Sequence, residues 1–231
     1  AKVGHISISG GEPMLVNRIM EIILYLKLKR ISVSLLTNGA LLRKEEIKTL
    51  IDLKISSIQI PVLSYNAKIH DYLTNYQGSW EKSVQSIKLI KELNGNIIPV
   101  LVVTRKNLPD VPETLQFLSD VGCSRVMINR FNVGGNGITN QVELSLNQEE
   151  LKFLFGKLNE SAQNTGLEIT SGVCTPVCMI NPIDYPYVKF SFCNTDFTLR
   201  PITINFNGEV RFCNHSPFVL GNIYEKKLNE I

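Results

Sequence analysis

No apolar run in this 231-residue chain approaches the length needed to cross a bilayer. The longest stretches, such as residues 22–26, fall far short of the about 20 apolar residues that a membrane-spanning helix requires. Neither sign of charge dominates, with 24 lysines and arginines against 21 aspartates and glutamates for a formal net charge of +3. With no basic stripe interleaved with aromatics, nucleic acid is not the favoured partner. Histidine is scarce, at three residues, and no second histidine lies within ligand spacing of His70, so His70 reads as a capping or packing residue rather than a metal ligand. No side chain stands out as a general acid or base. Together these absences describe a soluble, cytoplasmic globular chain with no membrane and no nucleic-acid partner.

Cysteine is sparse but unevenly placed. Of five, Cys174, Cys178, Cys193 and Cys213 fall in the last quarter, while Cys123 follows Gly122 at a strand start and reads as core. A chain this large does not need disulfides to hold a core, so the clustering points to metal binding.

What is abundant is alternation. Apolar runs at 5–9, 32–36, 57–63, 97–103 and 126–128 read as buried parallel strands. Between them, apolar residues recur three and four apart: Val16, Ile19, Met20, Ile23 and Leu26; Ile47, Leu50 and Ile51; Trp80, Val84 and Ile87; Val111, Leu115 and Leu118. These are crossover helices with one face on a sheet. Ser79 is an expected N-cap, and Gly95 and Gly122 stand where a helix end wants a left-handed residue. Asn147-Gln148-Glu149-Glu150 is a capping box for a helix running to about Asn164 and ended by Gly166. Repeated βα units with right-handed crossovers predict an α/β fold whose parallel sheet is closed or partly closed into a barrel. From Leu167 the helical periods give way to Pro, Cys, Asn and aromatics, with strands expected near 201–205 and 209–212 around an Asn207-Gly208 turn, and a helix at 228–231.

The segment Gly10-Gly11-Glu12-Pro13 closes the first apolar run and opens a helix. Ligand sites favour that junction, because paired glycines let a backbone approach a ligand and Pro13 suits a first helical turn. Thr37-Asn38-Gly39 holds a similar place after the second strand, where a plain turn is the alternative reading.

These segments, with Gln59-Ile60-Pro61-Val62-Leu63-Ser64 before His70-Asp71, Thr104-Arg105-Lys106-Asn107, and Asn129-Arg130-Phe131 before Gly134-Gly135, resemble those of the radical S-adenosylmethionine (SAM) enzymes over nearly the whole chain. The resemblance implies a partial (β/α)6 TIM-like barrel lacking its first βα unit. It implies that Gly10, Gly11, Glu12 and Pro13 grip the methionyl amino group of SAM, and that Thr37 and Asn38 line the same cavity. Ser64 would face the ribose or carboxylate, with Asn107 and Arg130 nearby; Arg130 is either a bidentate carboxylate partner or a structural rim arginine. Many relatives carry an arginine where this chain has Thr74-Asn75, so no carboxylate clamp is carried over there.

Cys193, fourteen residues, Gly208, four residues and Cys213, followed by Leu220-Gly221-Asn222-Ile223, resemble the opening of a SPASM extension, a small cysteine-containing hairpin. The likeness implies an auxiliary [4Fe-4S] cluster partly ligated by Cys193 and Cys213. Cys174 and Cys178 either lend ligands or behave as buried thiols. The cysteine triad that holds the catalytic [4Fe-4S] cluster in relatives is not in this chain, so the sequence reads as the middle of a longer enzyme, inactive alone. The organisation expected is a barrel at 1–146, a linking helix and strand at 147–172 and a cluster region at 173–231. The implied activity is reductive cleavage of SAM to a 5′-deoxyadenosyl radical that takes hydrogen from a peptide or protein, with a reductant such as flavodoxin or ferredoxin. Alternatives are a small-molecule substrate or a non-enzymatic metal-binding (β/α) module.

Overall fold

The computed structural model describes residues 3–194, 196, 201–213 and 215–231, in two compact units: a first of Gly4–Ser191, and a second of the described residues from Phe192 to Ile231 together with Val3. The first unit carries a seven-stranded sheet in the order β1 (His5–Ile8), β2 (Ser32–Leu36), β3 (Ser57–Pro61), β4 (Ile97–Val103), β5 (Arg125–Arg130), β6 (Glu168–Ser171) and β7 (Val188–Phe190), every neighbouring pair parallel. Sequence order and spatial order coincide, so each crossover steps the same way along the sheet. The crossovers carry helices α1 (Ile19–Leu28), α2 (Lys44–Asp52), α3 (Ala67–Thr74), α4 (Ser79–Glu92), α5 (Val111–Asp120), the short α6 (Gln141–Leu144) and α7 (Gln148–Thr165).

Alternate strand residues Val33 and Leu35, Ile58 and Ile60, Leu101 and Val103, and Val126 and Ile128 are buried in one core with Ile23, Ile47, Leu50, Ile87, Leu115 and Leu118 from the helices. Burying each such side chain is worth about 1.5–3 kcal/mol, so this apolar stripe, rather than local propensity, sets the strand register. Helix α7 begins as expected: Asn147 Oδ1 accepts from the Glu150 N–H at 2.8 Å, Glu150 Oε2 accepts from the Asn147 N–H at 2.8 Å, and Gly166 ends the helix at φ 71°.

Several local expectations are corrected. Pro13 opens a 3-10 turn, Pro13–Leu15, and α1 starts only at Ile19, because the Glu12 side chain bends the chain into a separate turn first. Gly78, at φ 80°, caps α4 in place of Ser79, whose hydroxyl instead donates to Asp71 Oδ1 at 2.9 Å. Asn94 takes the left-handed position at φ 58° that was expected of Gly95, which is needed for room: a Cβ there would lie 2.7 Å from Ile90 Cγ2. Beyond the five apolar runs and the strand of the linking segment, the sheet has one further strand, since three-residue β7 has no readable periodicity and forms by pairing with β6. Helix α3 was missed because its eight residues carry only about two turns of pattern.

The second unit holds an antiparallel three-stranded sheet of β8 (Thr203–Ile204), β9 (Glu209–Arg211) and β10 (Gly221–Asn222). The Asn207-Gly208 turn lies between β8 and β9; Gly208 has φ 78°, and a Cβ there would sit 2.7 Å from the Tyr224 ring. Residues 228–230 form a turn rather than the expected helix. Among the described residues no helix is long and apolar enough to cross a membrane.

Candidate functional site

The singled-out segments of the first unit lie at or just beyond the C-terminal ends of strands β1 to β5, with His70-Asp71 on α3. At the end of β1, Gly10 adopts φ 135°, a conformation that strains any residue with a side chain. A Cβ built at Gly10 or Gly11 meets nothing within 4 Å, so the backbone there borders open space.

Glu12, half-buried, is the centre of this rim. Its Oε1 accepts from the Thr37 hydroxyl at 2.6 Å and the Met14 N–H at 3.0 Å, and its Oε2 accepts from the Asn38 N–H at 2.7 Å. The donors come from the turn after β1 and the loop after β2, so the carboxylate ties two rim loops together. A carboxylate offers about four acceptor positions, and three are filled from within the protein; the remaining one is on Oε2. The arrangement is a fixed anionic acceptor beside exposed glycine backbone, and it suits a ligand ammonium. Thr37 is buried and also accepts from the Gly39 N–H at 3.2 Å, while Asn38 is exposed and its Oδ1 accepts from the Ala40 N–H at 2.8 Å. Pro13 is buried at the start of the turn.

Ser64 and Asn107 lie deeper, both fully buried. The Ser64 hydroxyl donates to Asp110 Oδ2 at 2.6 Å and accepts from the Asn66 N–H at 2.9 Å. Asn107 Oδ1 accepts from the Thr104 N–H at 2.7 Å and hydroxyl at 2.9 Å, and its Nδ2 donates to the carbonyls of Leu63 at 2.6 Å and Val102 at 2.9 Å. The amide thereby fastens the end of β3 to the end of β4 and uses every bonding position it has. Arg130, half-buried at the end of β5, donates through Nη2 to the Cys174 carbonyl at 3.0 Å, and its buried Nε has no partner among the described residues.

The His70-Asp71 pair belongs to the scaffold. Asp71 accepts from the N–H groups of Gly78 at 2.6 Å and Trp80 at 2.9 Å and from the Ser79 hydroxyl, so it caps α4; these bonds, the Trp80 N–H foremost, hold its carboxyl below the usual range. His70 is fully buried, and its Nδ1 accepts from the Leu63 N–H at 3.1 Å. Burial lowers its pKa to about 4, against a weaker upward pull from Asp71. In the unfolded chain the imidazole protonates near pH 6.5, so stability is full above that pH and falls as pH drops toward 4, by up to about 1.4 kcal/mol per unit. Urea titrations should show about 2 kcal/mol lost between pH 7 and 5, much reduced in His70→Asn; an equal loss in both proteins would contradict this origin.

Sequence reading missed Asp110 and also Thr114, whose hydroxyl accepts from the Tyr65 N–H at 2.9 Å. Their one signal was polarity in the first turn and on the buried face of a predicted helix. The cysteines divide between the units: Cys174, half-buried, and exposed Cys178 lie in the loop between β6 and β7, and exposed Cys193 and Cys213 lie in the second unit. Cys123 is buried, which pushes its thiol pKa up to about 11. Among the described residues no three His, Cys, Asp or Glu side chains are gathered as a metal site.

The model of the radical SAM superfamily matches residues 1–118. The PqqA peptide cyclase of Granulibacter bethesdensis is 22% identical over 213 residues, covering 92% of this chain and 55% of the cyclase. The subtilosin biosynthesis protein AlbA of Bacillus subtilis is 27% identical over 227 residues, covering 97% of this chain and 48% of AlbA. The fold matches Streptococcus suis SuiB bound to S-adenosylmethionine with a TM-score of 0.77 at 16% identity, over 98% of this chain and 53% of SuiB. SuiB has also been solved with its precursor peptide SuiA, where the match has a TM-score of 0.75 at 15% identity. The chain spans about half the length of the curated relatives it matches. With its family match covering just over half of its residues, on a parallel sheet whose strand ends carry the glycine-bordered carboxylate, the chain belongs to the radical SAM superfamily.

Proposed function

We propose that the rim around Glu12 holds the methionyl ammonium of SAM and that the whole protein uses it to modify a peptide. The observation that carries this is the Glu12 carboxylate, gripped by three donors from two loops with one acceptor position left, beside Gly10 and Gly11 where the backbone faces open space. These residues fit an ammonium: Glu12 supplies charge, and the carbonyls next to the glycines supply further acceptors. Reductive cleavage of SAM, followed by hydrogen abstraction from a substrate, is the general reaction type of the superfamily and is what the cofactor supplies when bound with a reduced [4Fe-4S] cluster.

This chain's own part is binding and orientation. Thr37 and the N–H groups of Met14 and Asn38 fix the carboxylate, so it need not reorganise when the ligand arrives. Asn107 and Ser64 set the loops after β3 and β4 from beneath, acting through loop shape. Arg130, with its Nε still open among the described residues, stays the neighbour assigned to the cofactor. The peptide substrate class is favoured by relatives named for peptide cyclisation and bacteriocin maturation and by the fold shared with SuiB. An external reductant such as flavodoxin or ferredoxin completes this reading.

The parallel sheet is read as part of a TIM-like barrel, and the second unit as the opening of a SPASM region. Cys193 and Cys213 are its proposed cluster ligands; Cys174 and Cys178, in the first unit, keep both readings, as ligands or as plain thiols. Among the described residues no three such ligands are gathered in one place. The test is anaerobic reconstitution of the whole protein with iron and sulfide. Broad absorbance near about 400 nm, with 5′-deoxyadenosine released from SAM on reduction, is expected. A colourless, zinc-loaded protein would contradict the reading.

A further inference from the structure

Helix α4 carries two polar residues on its buried face, Ser83 and Ser86, beside Val84, Ile87 and Ile90. They are 2% and 5% exposed, positions where an apolar side chain would contribute more to the core. Each hydroxyl is used. Ser83 Oγ donates to the Asn38 carbonyl at 3.1 Å, and Ser86 Oγ donates to the Gly39 carbonyl at 2.7 Å. Gly39 has φ 81°, and a Cβ there would lie 3.2 Å from Ser86 Cβ, so the loop rests directly on the helix.

The same loop presents the Thr37 hydroxyl and the Asn38 N–H to Glu12. The Ser83 bond is to the carbonyl of the very residue whose N–H binds Glu12 Oε2. Holding both carbonyls from below removes the loop's freedom to rotate its donors away from the carboxylate. The helix is itself anchored, its first turn capped by Asp71.

The geometry points to Ser83 and Ser86 as positioning residues for SAM: through the Asn38–Gly39 carbonyls they set the two donors that aim the Glu12 carboxylate at the cofactor's ammonium. This rests on the proposed SAM site, and the test separates the two. In the cluster-loaded whole protein, equilibrium affinities are measured for SAM and for 5′-methylthioadenosine, which lacks the amino-acid end. Glu12→Gln serves as the reference.

The Ser83→Ala/Ser86→Ala protein should bind SAM about 5-fold more weakly, the equivalent of one ordinary hydrogen bond, and bind 5′-methylthioadenosine within twofold of the native protein. Ser83→Thr, which keeps a hydroxyl, should retain native SAM affinity. If the double variant does not fold, Ser83→Ala alone should show the same selective loss at about 2- to 3-fold. Native SAM affinity in the serine variants beside a loss in Glu12→Gln would overturn the positioning role while leaving the site intact. Equal weakening of both ligands would also overturn it, since that reports general loosening of the core. If Glu12→Gln leaves SAM binding unchanged, the site assignment itself fails and the serine proposal falls with it.

Discussion

Glu12→Gln should weaken SAM binding by about 30- to 100-fold, the largest effect expected of any conservative change at this rim, from loss of a charge-assisted bond worth about 2–3 kcal/mol. Glutamine keeps the length of the side chain, and its oxygen can still accept from Thr37 and Met14. Its amide nitrogen then faces the Asn38 N–H, two donors at the 2.7 Å now spanned by a hydrogen bond. The variant therefore loses the negative charge an ammonium needs and also one tie between the rim loops. Calorimetry on the cluster-loaded protein checks this; an affinity within twofold of native would show that Glu12 is a loop strut and nothing more. Thermal stability should fall by much less than affinity, because Glu12 is only half-buried.

Asn107→Leu should be the most destabilising single change among the rim residues, at about 4 kcal/mol. The leucine side chain is close in size but leaves the Leu63 and Val102 carbonyls and the Thr104 N–H without their present partner, in a position with no solvent exposure. Each buried group left unpaired costs about 1–3 kcal/mol, and the total is a large share of the 5–15 kcal/mol by which a typical domain is stable. A fall of about 10 °C in melting temperature follows for a unit of this size. Urea or thermal denaturation of the native and variant chains measures it directly, and a loss below about 1 kcal/mol would mean that water or a shifted loop replaces the amide.

Much of the architecture was readable because buried parallel strands announce themselves. The run at 97–103 is apolar throughout and flanked by Asn96 and Thr104, and it and the shorter run at 32–36 became strands with those same limits. The capping box at Asn147 and the glycine at 166 likewise act locally, so their reading needs no tertiary context. Strand β7 and helix α3 escaped because neither is long enough to show a period; pairing with β6 decides the first, and an Asn66 cap and a left-handed Asn75 bound the second.

The rim divides in the same way. Gly10, Gly11 and Glu12 were visible as an unusual junction, and the structure places them beside Thr37 and Asn38 through bonds that cross 25 and 26 residues of sequence. The loop supports were harder to see. Ser64 pairs with Asp110 across 46 residues, and Asn107 reaches Leu63 across 44, distances over which a sequence shows only that a polar residue is present. Ser83 and Ser86 left a trace, as polar residues on an otherwise apolar helix face.

The most direct test of the whole account is an anaerobic crystal structure of the complete, cluster-loaded protein with SAM. The account predicts the methionyl nitrogen within hydrogen-bonding distance of Glu12 Oε2 and of the carbonyls flanking Gly10 and Gly11, with Thr37 and Asn38 still holding the carboxylate. Methionyl density at any other strand end, with Glu12 bonded only to Met14, Thr37 and Asn38, would contradict it.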